Sequence, residues 1–390
     1  MNRSGQTGMN QSSQTGLKRV YLDYASTTPL DPEIELAMRP YQFMQGNPSS
    51  VHLHGQNTRE ALEDARERLA QTIGSGGREL IFTSGGTEAD NQAIFALGLA
   101  RGGHIITSAI EHSAVLAPAR TLEAMKRCEV TYLEPDGFGL IDPNQVREAI
   151  RADTNLVSIM HVNNEVGTVQ DVRAMAEICR ARGIAFHVDA VQSLGAVELN
   201  VSQLGCDLLT ISSHKFYGPK GVGALYVRRG FELPPLLYGG HQEGGLRGGT
   251  HNLPGALGMA LAAEKARFEQ PSEASRLEGL RDGFQNRLLE FEGVSLNGHA
   301  TQHSPKILNI TAHGADGEAL LMNLDIEGVS ASSGSACNAG TLEPSHVLRA
   351  MGRSRADARA SIRFSFGRDT DAAALDFAVR AFAKALARSR

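Results

Sequence analysis

The sequence predicts an α/β protein: a large domain on a mostly parallel, seven-stranded sheet, followed by a smaller α+β domain. Seven short apolar runs, at 80–83, 104–108, 130–133, 156–161, 184–189, 207–211 and 223–227, alternate with segments of helical period. Alternation of that kind marks parallel strands covered on both faces. The chain has 390 residues, enough for two cores. Beyond residue 260 the order changes to helix, strand, helix and two further strands.

Taken in order, residues 1–16 are rich in Gly, Ser, Gln and Asn without an apolar stretch, so they read as a disordered tail rather than a signal peptide. Residues 57–72 form a charged amphipathic helix with Leu62, Ala65, Leu69 and Ile73 along one side. Residues 82–89 run from a strand through a glycine turn into a helix start, and 171–182 are an amphipathic crossover helix. A glycine-rich stretch at 239–249 closes the sheet region. Two separate helices follow, 253–268 and 278–291, then strands at 306–311, 329–332 and 361–366 and a last amphipathic helix at 372–388. The expected organisation is a tail (1–16), a large domain (17–260) and a smaller one (261–390), the segment after the tail being a candidate to pack with the smaller domain.

Composition excludes several classes. A net charge of −5 argues against a nucleic-acid footprint, and no apolar run reaches membrane-spanning length. Four scattered cysteines, with no C-x-x-C pair and no zinc spacing, point to a reducing cytoplasm. His52 and His54 lack a third ligand at a convincing spacing, so no metal site is expected.

The chemistry gathers at strand ends, where ligands bind in such sheets. Lys215 follows the apolar run 208–211 and precedes a Gly/Pro turn. Desolvation there frees an amine to act as a nucleophile. Asp189 ends another apolar run. A strand-end lysine with a buried strand-end carboxylate suits pyridoxal 5'-phosphate, the lysine holding the aldehyde and the acid keeping the ring nitrogen protonated. The turn at Gly86 and Thr87 offers helix N-terminal N–H groups to a phosphate, although the same residues also make an ordinary capped turn. His112 follows the next strand and suits ring stacking and proton transfer, with a surface-loop role as the plain alternative. Asn164 and Gln192 could bond a phenolic oxygen or substrate. Cys337 lies among small residues with nothing large to pack against, as an exposed reactive thiol does, whereas Cys128, Cys179 and Cys206 read as structural. Arg363, inside an apolar strand, needs an anionic partner: a substrate carboxylate or a structural carboxylate.

These segments together resemble cysteine desulfurases of the NifS/IscS type, in the class V, fold type I group of pyridoxal phosphate enzymes. The likeness runs from about Val20 to Arg368. It includes the run from Tyr21 to Pro29, Gly-Asn-Pro-Ser-Ser at 46–50, Gly-Gly-Thr-Glu at 85–88, Glu111-His112, Asn163-Asn164-Glu165, the Asp189/Gln192 pair, and Ser-His-Lys-Phe-Tyr-Gly-Pro-Lys-Gly at 213–221. It ends in Ser-Gly-Ser-Ala-Cys at 333–337 and Leu-Glu-Pro-Ser-His-Val-Leu at 342–348, similar to the long-loop subgroup.

The resemblance implies that Lys215 holds the cofactor, Asp189 pairs its ring nitrogen and His112 stacks on its ring. It implies Asn164 and Gln192 near the phenolic oxygen, and Gly86, Thr87, Ser212 and His214 at the phosphate. Thr250 would come from the second subunit of a homodimer, although Arg247-Gly248-Gly249 departs from the usual pattern just before it. Cys337 would carry sulfur from L-cysteine as a persulfide, with Arg363 on the substrate carboxylate and L-alanine as product. A sulfur-acceptor protein, such as an iron–sulfur scaffold, would be the partner. A selenocysteine lyase or aminotransferase on the same fold would keep Lys215 without depending on Cys337, and a non-catalytic docking scaffold would need neither.

Overall fold

The computed structural model describes residues 19–334 and 344–390. The strands described are, in chain order, β1 (Val20–Tyr21), β2 (Leu80–Thr83), β3 (Gly103–Ser108), β4 (Cys128–Leu133), β5 (Thr154–Met160), β6 (Ala185–Asp189), β7 (Leu208–Ser212), β8 (Gly223–Val227), β9 (Val294–Asn297), β10 (Ile307–Ala312), β11 (Val329–Ser330) and β12 (Ser361–Ser365). Seven of them form the central sheet in the order β2-β8-β7-β6-β5-β3-β4, and only β8 runs against its neighbours. The expected mostly parallel, seven-stranded sheet is therefore present.

Alternate strand residues fall into different cores. Ile106, Val157 and Leu209 lie in one buried cluster, whereas Ile105, Leu156 and Leu208 lie in another. Burial on both faces follows from the period of two. Each such side chain contributes roughly 1.5–3 kcal/mol by leaving water. The 171–182 helix appears as Val172–Ala181, capped by the Asp171 carboxylate on the Ala174 N–H. A three-stranded antiparallel sheet, β12-β10-β9, packs with Phe284, Phe382 and Leu386 in a separate cluster that also takes Val20 and Leu22. No helix among the described residues is long and apolar enough to cross a membrane.

One expectation fails. The two helices predicted at 253–268 and 278–291 are a single helix, Leu253–Leu289, with Pro271 inside it. Proline removes one backbone donor and normally breaks a helix. Here both halves are held by packing: Leu257 and Ala263 in the large-sheet core, Leu277 and Leu288 in the second. Side-chain burial on both sides outweighs the local penalty.

Order in the glycine-rich segment comes from an ion cluster. Glu243, whose side chain is 1 % exposed, accepts from Arg66 Nη1 at 2.5 Å and Nη2 at 2.9 Å and from the Phe82 N–H at 3.1 Å. His251 Nε2 lies 3.0 Å from its other face. Burial by itself raises this carboxyl, but the His251 and Arg66 hydrogen bonds prevail and hold it at about 2, against an ordinary 4.5. A depressed acid stabilises the fold above its unfolded value, and that stability disappears as pH falls from about 4.5 towards 2. Glu243→Gln is expected to lose on the order of 3 kcal/mol at neutral pH. Denaturant titrations at neutral and acid pH check this; a loss that does not shrink on acidification contradicts it.

Candidate active site

The strand order changes direction between β3 and β5, since the chain moves outwards to β4 on one side and to β6 and β7 on the other. Such a switch leaves a crevice beyond the carboxyl ends of the strands. In register, Asp189 pairs with Met160 on one side and Thr210 on the other, so β5 and β6 end together and β7 runs two residues further. A cavity of about 320 Å³ opens there, lined by Gly86, Thr87, His112, Asn164, Asp189, Gln192, Ser212, His214, Lys215 and Arg363 among others. Ten residues singled out in the sequence thus meet in one place. Thr250 is not among those lining it. Cys337 lies outside the described residues, but Gly334, at the end of the segment leading to it, does line the cavity.

Each side chain is set by its element. Lys215 is in the short turn after β7, and its Nζ donates to the Ala25 carbonyl at 2.6 Å and the Ser26 carbonyl at 2.9 Å. Just beyond it, Tyr217 holds a left-handed backbone with φ of 67°, unusual for a residue with a side chain. Buried contacts hold this turn: the Tyr217 N–H donates to Thr28 Oγ1 at 2.7 Å, and its hydroxyl accepts from the Arg368 N–H at 2.7 Å. Strain retained this way is common beside reactive groups. His112 caps the helix Ser113–Ala124, its Nδ1 accepting from the Ala114 N–H at 3.1 Å, so Nε2 is the nitrogen left to carry a proton.

Gly86 opens the helical stretch after β2, and Gly85 before it has no side chain to cap the first N–H groups. A Cβ on Gly86 would come within 2.8 Å of Val191 Cγ2, inside contact distance, so only glycine lets this turn approach the end of β6. Around the same turn stand Ser212 and His214, whose Nδ1 is 3.1 Å from Thr27 Oγ1. Burial, with Lys215 and Lys220 nearby, pushes the His214 ring down to about 4, so near neutrality it is an uncharged hydrogen-bonding group.

Asp189 Oδ1 accepts the Val191 N–H at 2.9 Å. Burial raises this carboxyl, while the Val191 hydrogen bond and the charges of His112 and Lys215 favour its anion. Gln192 Nε2 donates to the Ala25 carbonyl at 2.9 Å. Arg363, buried in β12, finds its anion in the protein: Nη2 donates to Asp23 Oδ1 at 2.7 Å and Ser26 Oγ at 2.8 Å, and Nη1 to the Asn164 carbonyl at 2.9 Å. Its Nε is buried without a hydrogen-bond partner. Of the two partners expected from sequence, the structure shows a carboxylate of the chain itself.

The three described cysteines are buried free thiols. Burial raises Cys179 and Cys206 to about 12, so neither supplies a thiolate. Residues missed in the sequence are Asp23, the Ala25 and Ser26 carbonyls, and Asp90, which also lines the cavity. The signal for the first three was their place in the run 21–29. For Asp90 it was a polar side chain one turn after Thr87.

Pyridoxal phosphate fits this donor set. The cavity volume lies at the lower end for small-molecule sites. Uncapped N–H groups and neutral hydroxyl and imidazole donors suit a phosphate, a buried acid suits a ring nitrogen, and a lysine amine suits an aldehyde.

Fold and site together define a class V aminotransferase: the profile of that family, "Aminotransferase class-V", matches residues 20–377, and the chain belongs to it. Within it the chain belongs with the NifS/IscS-type cysteine desulfurases. It is 48% identical to the cysteine desulfurase IscS of Dictyoglomus turgidum over 355 residues, 90% of each chain. Among solved structures, a NifS-like protein superposes with a TM-score of 0.88 at 34% identity, covering 95% of this chain and 100% of that one. SspA in complex with cysteine superposes at 0.80 with 40% identity, covering 89% and 98%.

Proposed function

We propose that this chain is a pyridoxal phosphate-dependent cysteine desulfurase that converts L-cysteine to L-alanine and keeps the sulfur as a persulfide on Cys337. The single observation that carries the reading is the meeting of Lys215, Asp189, His112 and the Gly86 turn around one cavity at the switch point of the sheet. When bound, pyridoxal phosphate supplies an electron sink that acidifies the α-carbon of an amino acid.

The protein's own groups do the rest. Lys215 would hold the cofactor, and its Nζ would accept the α-proton of a bound substrate. Asp189 would keep a proton on the ring nitrogen, and His112 would stack on the ring, with Nε2 to relay a proton. Gly86, Thr87, Ser212 and His214 receive the phosphate, joined by Thr250 from a second copy in a homodimer. Asn164 and Gln192 serve the phenolic oxygen. Arg363 clamps the substrate carboxylate, its guanidinium exchanging part of its Asp23 contact for a second carboxylate. The Cys337 thiolate attacks the substrate sulfur, so an S–S bond forms as the C–S bond breaks; the freed β-carbon takes up one proton and the α-carbon regains one from Lys215 Nζ, giving alanine. The persulfide then passes to an acceptor protein such as an iron–sulfur scaffold, in a reducing cytoplasm.

Wild-type protein loaded with pyridoxal phosphate and given L-cysteine with a dithiol is expected to yield alanine and sulfide in equal amounts. A requirement for a keto acid, with the cofactor ending as its amine, would instead make the enzyme an aminotransferase.

A further inference from the structure

Among the described residues, two carboxylic acids, not one, face the cavity beside the strand ends. Asp189 ends β6, and Asp90 lies about one turn into the helix that starts at Gly86. Both are buried, Asp90 to 1 % exposure. Their surroundings differ. Burial raises Asp189 as well, but the Val191 N–H on its Oδ1 and the charges of His112 and Lys215 favour its anion. Asp90 has the Thr210 hydroxyl, yet its Oδ1 is buried with no hydrogen-bond partner. His187 Nε2 stands 3.6 Å from that oxygen, but this ring is held by Ser158 Oγ at 2.8 Å and Thr210 Oγ1 at 3.0 Å. Burial pushes His187 down to about 3, so it brings no positive charge. Among the described residues, the other ionisable groups acting on Asp90 are Asp189 and Glu111, both acids.

We propose that Asp90 and Asp189 form an unequal carboxyl pair, in which Asp90 keeps a proton as the neutral acid and thereby leaves Asp189 free to stand ionised against a cationic ring nitrogen. Two buried carboxylates in one site resist ionising together, and unequal environments decide which holds the proton. Burial first, and then Asp189, push Asp90 well above the usual carboxylate range. Asp90 is then a positioning residue acting through Asp189. The inference rests on the reading of Asp189 as the partner of the ring nitrogen.

The test uses cofactor-free protein, so it does not depend on turnover. An acid whose folded value is raised gives stability that is complete below its unfolded value and is lost as pH rises through the folded one. Wild type should therefore lose ground to Asp90→Asn as pH rises, its folding constant falling about tenfold per pH unit relative to the variant until Asp90 ionises. A wild-type-to-variant difference that stays flat from about pH 4 to pH 8 overturns the proposal. Should Asp90→Asn fail to fold, carbon NMR of aspartate-labelled wild type at neutral pH decides. One aspartate carboxyl at the neutral-acid position supports the pair, and none overturns it. Titration of Asp189→Asn with pyridoxal phosphate separates the two readings. Wild-type affinity there refutes the role of Asp189 and this proposal with it, whereas weakened binding with a flat pH difference refutes the proposal alone.

Discussion

Lys215→Ala is expected to abolish borohydride-fixable cofactor and to slow L-cysteine turnover by at least about 10²–10⁴-fold, the range that one positioned proton-transfer group supplies. On the proposed function the loss is severe because this amine would have two duties, as anchor and as base. Its Nζ is aimed by the Ala25 and Ser26 carbonyls and by the turn that Tyr217 holds in a left-handed conformation. The residues around it that suit a phosphate remain in the variant, so pyridoxal phosphate should still bind, reversibly, and wash out on dialysis. Absorbance after borohydride and dialysis reads the anchor, and alanine formation reads the base. Turnover within a few-fold of wild type contradicts both duties.

Cys337→Ala is the second large effect, and of the opposite kind. Cofactor absorbance and its reduction by borohydride should match wild type, while sulfide release falls to the rate without enzyme. None of the three described cysteines can substitute, because each is buried and burial raises its thiol. Undiminished sulfide and alanine from this variant would sink the role of Cys337 and favour a lyase on the same fold.

Much of the site was legible in the chain because α/β sheets put ligand contacts at strand ends, where apolar runs stop and polar residues start. Lys215, Asp189, His112 and Asn164 each follow such a run, and the structure brings them to one cavity. What stayed hidden depends on partners far apart in sequence. Arg66 falls on the Leu62/Leu69 side of a charged amphipathic helix, but nothing nearby in the chain points to Glu243, which folds back onto it and leaves it 6 % exposed. Arg363 needed an anion, but nothing local pointed to Asp23, which joins it only once β1 and β12 are brought together by the small core. Pro271 looked like a helix end since local propensity counts it as one, whereas tertiary packing on two cores carries the helix through it. Asp90 shows the same limit from the other direction. A polar residue inside a helix reads as surface until the sheet end covers it.

The most direct measurement is the mass of the protein after one exposure to L-cysteine without reductant, located by peptide mapping. Transfer to the enzyme predicts one added sulfur atom on the peptide holding Cys337, matched by one alanine and removed by a dithiol. Alanine formed with no sulfur on that peptide would contradict it.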